Sequence, residues 1–189
     1  MRVSRRAGMI GLSALTATAF VTALASERAP SDAHPTTGAP SPPRGLKALP
    51  RRLAMLDVAF SGLDGREIGF ADLVGKPTVA VFWATWCGVC HGELPKLNRL
   101  KAELGEAVHV VALSIDEGGM PVIARYLKRQ RLDALAPYLD REGVIAEMLG
   151  VRGVPTAYVL DAEGRLAAAG EGRIDWDGRR TSAYLAALA

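Results

Sequence analysis

The chain has 189 residues, 49% of them hydrophobic and 23% charged, with a formal net charge of +3. That length accommodates one domain with extensions, and the composition excludes a wholly disordered chain and a polytopic membrane protein. Arg2, Arg5 and Arg6 account for the whole excess of 23 Lys+Arg over 20 Asp+Glu, so the remainder is formally neutral and no nucleic-acid partner is implied.

Those three arginines form a positive n-region, and residues 7–25 carry no charge. Ala23-Leu24-Ala25 offers the small-x-small pattern that signal peptidase reads, which makes Ser26 the expected mature start. An uncleaved anchor is the alternative, since about 20 apolar residues span a bilayer. The Ala, Thr, Ser and Gly content favours cleavage. Ser4-Arg5-Arg6 also looks like a fragment of a twin-arginine signal, although Gly8 and Met9 stand where its apolar pair would fall. Residues 1–25 are therefore expected to be a signal peptide or membrane anchor that places the domain in the periplasm or another extracytoplasmic space. Pro30, Pro35, Pro40, Pro42, Pro43 and Pro50 then punctuate a stretch of Ser, Thr, Ala and Gly. Such a stretch buries too little apolar surface to offset its ordering entropy, so 26–52 is predicted to be a flexible tether. The folded domain is expected over 53–189.

Val58, Phe60, Ile68 and Phe70 flank Leu63-Asp64-Gly65-Arg66, and Asp-Gly between apolar runs predicts a β-hairpin. Thr78–Trp83 is a continuous β-branched and aromatic run, as expected of a strand covered on both faces. From Cys87 onward Val89, Leu94, Leu97, Leu100 and Leu104 recur on one side of a predicted helix, with Pro95 expected to kink it. Val108–Ile115 predicts a second buried strand, and Pro121–Gln130 a helix facing inward through Val122, Ile123, Tyr126 and Leu127. A short strand (135–139), a short helix (142–149) and a strand (157–160) follow. Asp161-Ala162-Glu163-Gly164 turns into a partner strand (166–169), and a last helix starts near Arg179. Alternating strands and helices that end in a hairpin and a helix predict an α/β domain with a mixed central sheet.

The chain has 2 cysteines, set together as Trp86-Cys87-Gly88-Val89-Cys90 where a buried strand gives way to a helix. A structural bridge across so short a loop stabilises little, because closure entropy grows with loop length. A redox pair is the better reading. Helix N-terminal amides and the macrodipole favour a thiolate on Cys87, with Cys90 expected to be the more buried partner.

Phe82-Trp83-Ala84-Thr85-Trp86-Cys87-Gly88-Val89-Cys90, Glu93-Leu94-Pro95 and Gly150-Val151-Arg152-Gly153-Val154-Pro155-Thr156 together resemble the thioredoxin superfamily, and more closely its exported TlpA/ResA/CcmG-like branch. The likeness covers roughly 53–189. It implies a thioredoxin-like fold with an N-terminal β-hairpin and a strand–helix insertion within 116–140. It also implies a protein disulfide reductase with Cys87 and Cys90 as the redox-active disulfide. Pro155 would be a cis-proline opposite that disulfide, leaving the Val154 backbone and Trp86 to meet an extended substrate. Glu93, one turn after Cys90, would serve the buried cysteine's proton transfer. Thioredoxin itself is a poorer match, because Val81 stands where it keeps a buried Asp. The clients implied are disulfides in apocytochrome c or in copper-site assembly proteins of cytochrome oxidase. Electrons would come from a membrane thiol-reductant donor of the DsbD/CcdA kind. Val89 replaces the proline frequent between the cysteines of reducing members, so an oxidase or isomerase is the alternative; an isomerase usually carries a dimerisation module, which is not seen, and a monomer is expected.

Cys87-Gly88-Val89-Cys90-His91 also matches the c-type haem attachment signature, with Met120 or Met148 as distal ligands. That reading leaves the buried strand and the Gly-Val-Pro-Thr segment without a purpose. The other histidines, His34 and His109, fall in the tether and a strand, so no metal site and no cofactor are expected. Ala80 and Ala84 occupy the positions where a peroxiredoxin would keep Pro and Thr.

Overall fold

The computed structural model describes residues 40–55 and 58–189. The predicted signal or anchor and the tether up to residue 39 lie outside the described residues. Among the described residues no helix is long and apolar enough to cross a membrane.

In chain order the strands are β1 (Lys47–Ala54), β2 (Ala59–Gly62), β3 (Glu67–Gly69), β4 (Thr78–Trp83), β5 (His109–Ser114), β6 (Pro137–Leu139), β7 (Thr156–Leu160) and β8 (Arg165–Glu171). The helices are α1 (Cys90–Leu104), α2 (Gly119–Arg129), α3 (Val144–Met148) and α4 (Arg179–Ala186). One mixed sheet runs β1-β8-β7-β4-β5-β6-β2-β3, the thioredoxin-like architecture that the resemblance implied. The Asp64-Gly65 hairpin forms as expected. Gly65 takes φ +75°, and the Asp64 carboxylate accepts the Arg66 amide hydrogen at 3.1 Å, the turn chemistry these residues favour.

β4 lies at the centre and is buried along its whole length. Its alternate residues feed two cores. Val79, Val81 and Trp83 face α1, α2 and α4 through Leu94, Leu97, Ile123, Tyr126 and Leu185. Ala80 and Phe82 pack on the other face with Phe60, Phe70 and Ile145. A strand covered on both faces has no polar side to present, which is why its sequence does not alternate.

Two boundaries differ from expectation. Residues 47–52, assigned to the tether, belong to β1, which pairs antiparallel with β8 through Lys47↔Ala169 and Ala48↔Ala168. The register slips between Ala48 and Leu53, around Pro50. An edge strand with a bulge is where a sheet tolerates proline, so proline richness concealed this strand. The helix predicted from Cys87 begins at Cys90, and Val89 is 41% exposed rather than facing the core. The predicted 116–140 window holds α2 and β6, the added elements between β5 and α3.

Candidate active site

Strand direction assembles the site. β4 and β5 are parallel, with Trp83 beside Ser114, so their C-terminal ends lie side by side. β7 is antiparallel to β4, with Thr156 opposite Phe82, so its first residue and the preceding loop reach that same end. The segment after β4 holds the two cysteines, the segment after β5 holds Asp116, and the loop before β7 holds Val154-Pro155. Carboxyl ends of adjacent strands are the common location of sites in open α/β sheets.

Cys87 and Cys90 are joined in a disulfide with their Cα atoms 5.3 Å apart. Cys87 is 6% exposed and Cys90 fully buried, so Cys87 is the nearer of the two to solvent. Cys90 is the first residue of α1, and its amide donates to Cys87 Sγ at 3.1 Å. Because no side chain caps α1 from Val89, the Cys87 sulfur occupies the place of a capping acceptor. In the reduced protein that N–H and the helix dipole bear on a Cys87 thiolate, the condition for a nucleophilic cysteine.

The Val154–Pro155 peptide bond is cis, and the Val154 carbonyl oxygen lies 3.5 Å from Cys87 Sγ. Pro155 is buried, Val154 is half-buried, and the Gly172 amide donates to the Pro155 carbonyl at 2.8 Å, tying this loop to the end of β8. Trp86 is 66% exposed beside Cys87, and with the 41% exposed Val89 it makes an apolar rim next to the cysteine pair.

Glu93 is 3% exposed, yet both of its oxygens have donors: Lys96 Nζ at 2.9 Å and the Ile174 amide at 3.0 Å. It therefore also fastens α1 to the segment between β8 and α4. His91 Nε2 is directed at the Thr85 carbonyl oxygen at 2.9 Å, while its ring lies 5.4 Å from that of Tyr126. His91 thus contacts the backbone of the cysteine loop. Burial pushes the Tyr126 phenol above its ordinary range, so it stays neutral at physiological pH.

Asp116 is a further residue of the site that its sequence surroundings do not single out. It is 6% exposed and accepts from the Thr85 amide (2.9 Å), the Thr85 hydroxyl (2.6 Å) and the Ser114 hydroxyl (2.6 Å). The available signal was Ser114-Ile115-Asp116, polar residues ending an otherwise apolar strand.

A disulfide at a helix tip, one cysteine fully buried and the other nearly so, with a cis-proline loop beside it, is the site of a thioredoxin-like protein. The chain belongs to the AhpC/TSA family, whose model matches residues 53–169. It is similar to the thiol:disulfide interchange protein DsbE of Pseudomonas aeruginosa, 32% identical over 130 residues, covering 64% of this chain and 70% of that protein. The thiol-disulfide oxidoreductase ResA of Bacillus thuringiensis is 32% identical over 105 residues, covering 55% of this chain and 60% of the relative. The chain thus spans about 60% of the length of that curated relative. Among solved structures, Mycobacterium tuberculosis dsbF superposes with a TM-score of 0.60 at 26% identity, over 70% of this chain and 96% of that one. The exposed lipoprotein thioredoxin Etrx1 of Streptococcus pneumoniae gives 0.57 at 27% identity, over 65% and 93%.

Proposed function

We propose that this protein is an exported thiol–disulfide oxidoreductase that works as a reductase of client proteins. The observation that carries the reading is the Cys87–Cys90 disulfide at the tip of α1, with Cys87 Sγ accepting the Cys90 amide hydrogen and Cys87 the less buried of the pair. The relatives named as thiol–disulfide oxidoreductases support it.

In the reduced enzyme the Cys87 thiolate attacks one sulfur of a client disulfide. The client S–S bond breaks, a mixed disulfide forms, and the second client sulfur leaves as a thiolate that takes up a proton. Cys90, having given up its proton, attacks Cys87 Sγ. This breaks the mixed disulfide, releases the client as a dithiol and leaves Cys87–Cys90 oxidised, with two electrons transferred. A membrane dithiol donor restores the reduced form. Trp86, Val154 and Pro155 serve as the client-binding rim, with the client chain extended along the Val154 backbone. Glu93 assists proton transfer at Cys90. The clients are disulfides of apocytochrome c or of copper-site assembly proteins, the classes that the TlpA/ResA/CcmG-like resemblance carries. Export rests on the N-terminal segment and on the likeness to a protein described as an exposed lipoprotein.

Two measurements test the reading. Cys90→Ser accumulates a mixed disulfide with a model client, whereas Cys87→Ser forms none; absence of the adduct from the Cys90 variant overturns the mechanism. The reduction potential of the pair decides direction. A value near that of thioredoxin, about −270 mV, fits a reductase, and one near about −120 mV makes the protein an oxidase.

A further inference from the structure

Thr85 stands two residues before the attacking cysteine, and its whole polar inventory is engaged. The amide and the hydroxyl donate to Asp116 at 2.9 and 2.6 Å, and the carbonyl receives His91 Nε2 at 2.9 Å. A carbonyl only accepts, so Nε2 carries the hydrogen. Neither jaw is free to drift. The Asp116 carboxylate is also bound by Ser114 Oγ at 2.6 Å, and its own amide donates back to Ser114 Oγ at 3.1 Å. The His91 ring lies against Tyr126, and Tyr126 against the fully buried Trp83 with ring centroids 5.4 Å apart. One jaw is rooted in the end of β5 and the other in the first turn of α1. Between them Ala84 to Cys87 forms a tight turn, in which the Cys87 amide donates to the Ala84 carbonyl at 3.1 Å.

We propose that Asp116 and His91 form a clamp on Thr85 that positions Cys87, holding its sulfur over the Cys90 amide and so setting both the reactivity and the equilibrium of the couple. Asp116 is a positioning residue, not a catalytic one, since it acts through Thr85. The inference rests on the thiol–disulfide reading above. Its physical basis is that a charge-assisted hydrogen bond from the Cys90 amide favours the thiolate only while the sulfur stays within reach of that amide. A loop free to swing loses this support in the reduced state more than in the disulfide, where Cys90 holds Cys87 covalently. Loosening the clamp therefore shifts the couple toward the disulfide and slows thiolate attack.

The test uses the full chain and three clamp variants, with Thr85→Ser and Cys87→Ser as controls. Thr85→Val removes the hydroxyl and keeps the shape. Asp116→Asn leaves one acceptor oxygen where three donors converge. The double variant measures their coupling. Each protein is equilibrated against glutathione, and its reduced form is timed against oxidised glutathione at neutral pH, with folding followed by circular dichroism. Each single variant is expected to slow attack at least fivefold, and Thr85→Val to shift the equilibrium at least fivefold toward the disulfide. The double variant is expected to be no slower than the worse single one, because both break the same link. Thr85→Ser, which keeps the hydroxyl, recovers most of the Thr85→Val loss. Folded single variants within twofold of the parent, or fully additive effects, overturn the clamp while leaving the oxidoreductase reading intact. A parent chain that exchanges with glutathione no faster than its Cys87→Ser variant overturns both.

Discussion

Glu93 combines a proposed role in proton transfer with an observed one in fastening the fold. Its place one turn after Cys90 suits proton transfer, and its hydrogen bonds make it a fastener for a buried amide. Ile174 is 3% exposed, so its N–H finds no water if Glu93 is truncated. A buried donor left without an acceptor costs about 1–3 kcal/mol. Glu93→Ala is therefore expected to lower unfolding stability by about that amount in a urea titration. Glu93→Gln keeps a carbonyl oxygen for the Ile174 amide and removes the proton-accepting group. It should melt close to the parent while slowing disulfide exchange at neutral pH. Unchanged kinetics in the Gln variant would leave Glu93 with the fastening role alone.

Among the elements, β1 shows how closely the edge of the sheet is fitted. Its lead-in passes over β8 at Gly45 and Gly170, where a Cβ on Gly170 would collide with the Gly45 carbonyl oxygen and sit 3.1 Å from Leu46 Cδ2. Gly45 itself takes φ +96°, a conformation that costs glycine little, so neither residue can readily yield to a side chain. Gly170→Ala is expected to destabilise the domain by about 1–3 kcal/mol, the range for overpacking, and to be read as a lowered midpoint of thermal unfolding. Elements with strong periodicity were legible in the sequence. β4, β5, the Asp64-Gly65 hairpin and α4 lie within a residue or two of their predicted places, because burial and turn chemistry leave marks in composition. β1 was not legible, because an edge strand exposed along most of its length and broken at Pro50 has neither alternation nor burial to display. The cysteine pair was legible for the same local reason as the hairpin. Asp116 was not, since its meaning depends on β5 lying parallel to β4, a long-range pairing that no short window of sequence encodes.

At the scale of the whole molecule, stability should depend on pH through His109. Burial lowers its pKa from 6.5, with Lys76 and Lys101 adding to the effect and Glu106 opposing it. The folded state thus binds this proton less readily than the unfolded chain, so stability rises with pH across this range. The contribution is complete above about pH 6.5 and is lost as pH falls from there through the lower folded value. Urea midpoints measured between pH 7 and 5 should decline, and His109→Gln should flatten that decline. An identical slope in the variant would remove His109 from the account.

The convergence of the ends of β4 and β5 with the start of β7 has a consequence for the life of the chain before it folds. The Cys90 amide donor, the Thr85 grip and the Val154-Pro155 loop come from segments that meet only once the sheet is paired. An unfolded copy therefore carries two ordinary thiols with no special appetite for disulfides. Reactivity emerges with tertiary structure, so a newly made chain is a poor nucleophile until it has folded. The scaffold acts as its own safety catch, withholding the chemistry until there is a shaped surface to direct it.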